Sequence, residues 1–273
     1  MAKTISTGFL TNTTIGGIPV EYNIPCNAAN YTNLGSRSAG YVVMHYTGNA
    51  KDTAEANCRY FTTGGRGASA HFFVDDSHIR QSVELRDRAW HCGTSGTYYH
   101  NACRNANSIG IEMCTSGNYK ISETTKVVAA NLCAYICKLI GISASQVDTY
   151  VLRHWDITRK SCPAQMTGAN NAEWSAFKQM VKNILNGSST TKSTVNKETT
   201  TATVSSGKAT SYVVKVTATA LNYRQTPGTG KVLGTIKKNE RYTIIEEQDI
   251  NGTKWGKLKS GAGWICLSYT TKV

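Results

Sequence analysis

The 273-residue sequence has no run of about 18 apolar residues, so it offers no helix able to span a bilayer. Its first ten residues, Met1 to Leu10, hold no continuous apolar core of signal-peptide length, and the expectation is a chain made without its own export signal. No Cys-x-x-Cys pair occurs among the 9 cysteines, which argues against a structural zinc knot. Nine is odd, so at least one thiol is unpaired, and a chain without an export signal points to a reducing compartment and free thiols. Acidic residues are scarce: 17 against 30 basic ones leave a net charge of +13. That excess fits either a polyanionic partner or a solvated basic surface. No helix-turn-helix, zinc-finger or RNA-binding signature is present, so charge alone does not select nucleic acid.

The length suggests two domains. Residues 1 to about 21 are rich in Thr and Gly and read as irregular. Residues 41–47 read as a buried strand, and 52–61 as a helix capped by Asp52 or Thr53. Strands are expected at 70–75, 78–83 and 108–114. Val127, Val128, Leu132, Ile136 and Leu139 recur at helical spacing and predict a helix from about Thr124 to Leu139. Cys133 and Cys137, four apart on it, read as small apolar core residues. A last strand at 150–154 is expected to deliver His154, and a helix to follow at 172–185. Strands mixed with helices predict an α/β domain with a mixed central sheet flanked by helices. From Asn186 the chain is nearly free of large apolar residues, and 187–210 reads as a Ser/Thr-rich linker. Beyond it, short strand-like runs from Tyr212 onward predict a small all-β unit whose core holds Trp255 and Trp264.

Three residues far apart in sequence suggest chemistry: His45 at the end of the Tyr41–Tyr46 run, His154, and Cys162 eight residues later. Two imidazoles and a thiolate make good zinc ligands, and three protein ligands leave the fourth tetrahedral position open, as a hydrolytic zinc requires. With 6 His and 9 Cys such a trio can also be drawn by chance, leaving a buried strand histidine and a core cysteine.

The surrounding phrases are more specific. Val43-Met44-His45-Tyr46-Thr47-Gly48-Asn49, Ser69-Ala70-His71-Phe72, Ala89-Trp90-His91, Asn107-Ser108-Ile109-Gly110-Ile111-Glu112 and Arg153-His154-Trp155-Asp156-Ile157-Thr158-Arg159-Lys160-Ser161-Cys162-Pro163 occur in this order. Together they resemble the type-2 N-acetylmuramoyl-L-alanine amidases, a family that includes phage lysozyme-type amidases and peptidoglycan recognition proteins. The resemblance covers roughly residues 22 to 186. It implies zinc-dependent hydrolysis of the amide joining N-acetylmuramic acid to L-alanine, with His45, His154 and Cys162 on the metal. It implies Glu112 as general base and Lys160 as an oxyanion partner. Asp156 is a candidate to hold a ligating imidazole from behind. His91, Tyr46 and His71 are candidate substrate-binding residues lining the cleft. One departure stands out: phage lysozyme-type relatives carry a catalytic Tyr where this chain has Ala70. That role is absent here or moved, with Tyr46 as the candidate.

Residues 220–228, 232–236, 255–258 and 263–265 resemble bacterial SH3-like cell-wall-binding domains. The expected architecture is therefore an amidase domain over 1–186, the linker, and an SH3-like barrel over 211–273. The implied partner is peptidoglycan, with a Gram-positive wall and its teichoic acids matching the positive charge. No nucleic acid and no membrane span are expected, and the oligomeric state is open. An endolysin made in the host cytoplasm and released through a holin-type pore fits the absent export signal, with a bacterial autolysin as the near variant. Two readings of other classes compete. A protein that only binds peptidoglycan would typically lack a zinc ligand. A Cys/His peptidase would be expected to open a helix with its nucleophile, whereas Cys162 precedes Pro163 in a loop.

Overall fold

The computed structural model describes residues 3–187, 212–227, 232–250 and 253–273. These fall into two compact units, one before and one after the segment 188–211. All but the first residue of the expected linker 187–210 lies outside the described residues.

The first unit is built on a mixed seven-stranded sheet. Its strands are β1 (Thr14–Ile15), β2 (Ile18–Glu21), β3 (Tyr41–Tyr46), β4 (Phe72–Val74), β5 (Ile79–Gln81), β6 (Ser108–Met113) and β7 (Val151–Arg153), in the spatial order β7-β3-β6-β4-β5-β2-β1. Residues 42–45 of β3 are all buried, because a strand inside a sheet covered on both faces needs apolar side chains on both. β3 runs parallel to β6 and β7, and the register pairs His45 with Glu112 and Met44 with Arg153. The carboxyl ends of three parallel strands therefore converge, where open α/β sheets place their sites.

The helices that accompany this sheet include α1 (Ala54–Phe61), α2 (Glu123–Ile140), α3 (His154–Thr158) and α4 (Ala172–Leu185). Thr53 caps α1 by accepting from the Ala56 amide at 3.1 Å, so the cap is Thr53 rather than Asp52. α2 begins at Ser122, whose hydroxyl accepts from the Thr125 amide, and stops at Gly141, where φ is +82°. Leu132, Cys133, Ile136 and Cys137 of α2 are fully buried, the two cysteines as core residues. All nine cysteines are buried free thiols.

Two expectations need correction. The described residues of the stretch expected to be irregular, 3–21, supply β1, β2 and a short strand at Lys3–Ile5. Ile5, Leu10, Ile15 and Val20 are the buried anchors that tie this Thr/Gly-rich stretch to the core. The last strand also ends at Arg153, so His154 is the first residue of α3 and not the end of a strand.

The second unit is one antiparallel sheet. Its strands are β8 (Tyr212–Val216), β9 (Ala220–Arg224), β10 (Val232–Lys237), β11 (Arg241–Ile250), β12 (Thr253–Leu258), β13 (Trp264–Cys266) and β14 (Thr270–Lys272), in the order β10-β9-β13-β12-β11-β8-β14. Trp255 and Trp264 sit in its core with Val214, Ile244, Leu258 and Ile265. Gly256 of β12 allows this packing, since a Cβ there would lie 2.7 Å from Leu267. Among the described residues no single helix is long and apolar enough to cross a membrane.

Candidate active site

His45 is the penultimate residue of β3, His154 opens α3, and Cys162 lies in the loop that follows α3. The loop doubles back because Arg159 adopts φ +65° and the Trp155 amide donates to the Cys162 carbonyl at 3.0 Å. Ligand atoms of the three residues all lie within 4.8 Å of one another, and all three residues are buried. Cys162 Sγ is 3.7 Å from His45 Nδ1, and the two imidazole rings sit 4.9 Å apart at 77°.

The donor set fits a zinc ion. Neither ring nitrogen of the buried His154 makes a hydrogen bond of normal geometry, although a buried imidazole ordinarily has a partner. Cys162 has only a 3.9 Å contact to the Tyr46 carbonyl besides His45. Two imidazoles and a thiol that face one another, with the His154 nitrogens unpartnered, suit a tetrahedral metal with N and S ligands.

His91 stands behind His45. Its Nδ1 is 3.0 Å from His45 Nε2, and its Nε2 is 3.2 Å from the Ser108 hydroxyl. This leaves His45 Nδ1 for the cluster. The ring fits only because residue 110 is glycine, where a Cβ would lie 2.5 Å from it. His91 thus orients a candidate ligand, a role the sequence reading assigned to Asp156. Asp156 instead grips Arg153, with Oδ1 2.7 Å from Nη2 and Oδ2 3.0 Å from Nε, and touches no ligand imidazole. It fixes the start of α3 and so acts on His154 through the backbone.

Glu112 forms the fifth of the six residue pairs along β3 and β6, beside His45. Its Oε2 is buried without a hydrogen-bond partner. Burial pushes its carboxyl up to about 8; the Lys160 ammonium opposes this and Asp52 adds to it. Glu112 stands at one side of a cleft of about 420 Å³ that also exposes Thr47, Asp52, Tyr60, Phe61 and Phe73. Thr47 Oγ1 is a second buried atom without a partner. The sequence reading missed these cleft residues; the signal was α1, whose face carries Tyr60 and Phe61 toward the strand ends.

Lys160 is exposed, and its charge reaches the cluster. Burial, with the Lys160 ammonium adding, pulls His154 down to about 4; burial, then the neighbouring imidazoles and Lys160, holds His45 well below its usual value. Both imidazoles are therefore neutral, as ligation requires. Burial, with the Glu112 carboxyl adding, pushes the Cys162 thiol up to about 12.

Tyr46 is half-buried and packs on the main core, with its ring under Gly48. His71 is fully buried. Its Nδ1 accepts from the Gly110 amide at 3.0 Å and its Nε2 lies 3.1 Å from the Asp87 carbonyl, so both nitrogens are occupied within the protein. The structure brings His45, His91, His154, Cys162, Glu112 and Lys160 together and leaves His71 behind them.

These shifts set a pH dependence for the metal-free protein. Folded His154 takes up its proton only near 4 whereas the unfolded residue does so near 6.5, so its contribution rises with pH across that window. Folded Glu112 keeps its proton to about 8 whereas the unfolded residue loses it near 4.5, so its contribution falls as pH rises from 4.5 to 8. Thermal melts of zinc-free protein should therefore show the wild type losing stability relative to Glu112→Gln between pH 5 and 8. Parallel pH curves for the two proteins would contradict the buried, protonated carboxyl.

Residues 35–165, which hold the three clustered side chains and Glu112, match the family Amidase_2, described as N-acetylmuramoyl-L-alanine amidase. N-acetylmuramoyl-L-alanine amidase BlyA of Bacillus subtilis (strain 168) is 30% identical over 256 residues, covering 88% of this chain and 68% of that one. N-acetylmuramoyl-L-alanine amidase CwlL of Bacillus licheniformis is 29% identical over 195 residues, covering 68% of this chain and 51% of that one. The chain thus spans between half and about two thirds of these relatives. A solved mutant endolysin from Bacillus subtilis superposes with a TM-score of 0.50 at 25% identity, over 60% of this chain and 99% of that one. Similarity of this extent, with the matched segment holding the convergent strand ends, means that the chain belongs to the N-acetylmuramoyl-L-alanine amidase family.

Proposed function

We propose that this protein is a zinc-dependent endolysin that hydrolyses the amide between the lactyl group of N-acetylmuramic acid and L-alanine in peptidoglycan. One observation carries the reading: a buried N,N,S cluster lies beside a carboxyl whose Oε2 has no partner, at the head of an open cleft. His45 and His154, both neutral, and Cys162 would hold the metal. When bound, zinc supplies a Lewis acid that polarises the amide carbonyl and makes a nearby water more acidic.

The remaining steps belong to the chain. With a cation held by His45, His154 and Cys162, Glu112 would lose its proton, and its Oε2 would serve as the base. Oε2 takes the proton as the water oxygen bonds to the carbonyl carbon. It returns that proton to the alanine nitrogen as the C–N bond breaks, leaving a free amine and a lactyl carboxylic acid that then ionises to solvent. The Lys160 ammonium stabilises negative charge that grows on the carbonyl oxygen. His91 holds His45 in the ligating orientation. Tyr60, Phe61 and Phe73 offer an apolar wall for the substrate.

The unit over 1–186 is the catalytic part in this reading, 187–210 the linker and 211–273 the wall-binding part, an SH3-like domain holding the enzyme on a Gram-positive wall. The antiparallel sheet with its tryptophan core supports that division. The endolysin similarity supports a phage or prophage role, and holin-type release belongs to the same reading. A cysteine peptidase is disfavoured because burial holds the Cys162 thiol near 12, far from a thiolate at neutral pH.

A chelator followed by zinc tests this. Activity on purified walls should vanish and return with the metal, and a thiol alkylator applied to zinc-saturated protein should spare it. Chelator-resistant activity abolished by the alkylator would point to the peptidase instead.

A further inference from the structure

Two guanidinium groups flank one indole beside the cluster, and only one of them has its acid. Arg153 lies 4.7 Å from the centre of the Trp155 ring and is paired to Asp156 at 2.7 Å. Arg159 lies 4.2 Å from the same ring and 5.1 Å from the ring of Tyr99. It pairs with no carboxylate among the described residues; its one polar side-chain contact is a long 3.5 Å approach of Nη1 to the Trp155 carbonyl. Arg159 and Tyr99 are both exposed.

This cation is held in place from two directions. Its backbone is fixed at φ +65°, a left-handed conformation unusual for a residue with a side chain, as the cap that ends α3. The loop bearing Tyr99 is docked on α3 through the Tyr99 amide, which donates to the Ile157 carbonyl at 2.8 Å. Two aromatic faces leave the in-plane N–H edge of a guanidinium free, which is the edge that meets a carboxylate. Arg159 precedes Lys160 and is three residues from Cys162, a chain reach of at most about 11 Å. It therefore sits on the rim of the catalytic centre.

We infer that Arg159 is a specificity-determining residue that binds a free carboxylate of the stem peptide. The inference rests on the amidase reading above. The substrate chemistry selects this partner: the lactyl carboxyl is itself tied up in the scissile amide and the sugars beside it are uncharged, so near the cut the anionic groups are those of the peptide. The planar fork matches a carboxylate and is left without its charge partner by a primary amide. The enzyme accordingly favours stems with free carboxylates over amidated ones.

The test uses the full-length, zinc-loaded protein and two soluble N-acetylmuramoyl peptides that differ only in whether their peptide carboxylates are free or primary amides. Wild type should favour the free acid in kcat/KM by about 10-fold, the low end for a charged hydrogen bond at an exposed site. Arg159→Gln should lose about 10-fold on the free acid and under 2-fold on the amide, with zinc content and melting temperature unchanged. Arg159→Lys should fall between, keeping the charge but not the fork. Equal losses on both substrates, or no preference in wild type, overturn the inference. Wild-type protein that cuts neither substrate overturns the amidase reading on which it rests.

Discussion

Glu112→Gln is expected to lower turnover of muramoyl amides by about 100-fold or more while leaving the fold and the zinc content intact. An amide resists attack and its amine leaves poorly, so the water must lose a proton and the nitrogen must gain one. A metal can polarise the carbonyl, but it cannot carry a proton between the two. Glu112 is the one carboxyl that lies beside His45 in the strand register and has a buried oxygen without a partner. Gln is nearly isosteric and carries no charge, so it removes the base without adding bulk. Because the native carboxyl is held protonated in the metal-free protein, the neutral amide should also fold at least as well. Kinetics on a soluble muropeptide, with metal analysis of the same preparation, decides the matter. Near-normal turnover by zinc-loaded protein would move the base role elsewhere, and lost zinc would make Glu112 a structural support.

Cys162→Ser should remove most of the zinc, and with it nearly all activity. The cluster offers three candidate ligands, so losing the soft one would leave two imidazoles and a hydroxyl that does not ionise at neutral pH. Binding to the native thiol must also release its proton, since burial holds it near 12 without a cation. Titration calorimetry in buffers of different ionisation enthalpy should therefore register proton release on zinc binding to wild type. Full occupancy in the serine variant would rule out Cys162 as a ligand.

The parts legible in the sequence were those with a strong local period or an ordered phrase. The buried run at 41–47, the amphipathic pattern of α2 and the α4 segment at 172–185 all became the expected elements. His45, His154 and Cys162 converge because parallel β3 and β7 end together and α3 turns the chain back, which no local pattern could reveal. What was missed depends on long-range contact. Asp156 was read as an imidazole partner, but Arg153, three residues before it, takes the carboxylate first. His91 reaches His45, 46 residues away in sequence, only through the space left by Gly110. The strands before residue 21 were hidden because their anchors, Ile5, Leu10, Ile15 and Val20, are single apolar residues spaced too widely for either period.

Mass spectrometry of wall fragments released by the purified, zinc-loaded protein tests the central claim most directly, because it identifies the bond that is cut. The expected products are stem peptides with a free L-alanine amino terminus and glycan strands whose muramic acids carry a free lactyl carboxylate. New reducing sugar ends, or cuts within the peptide with the lactyl amide intact, would contradict it.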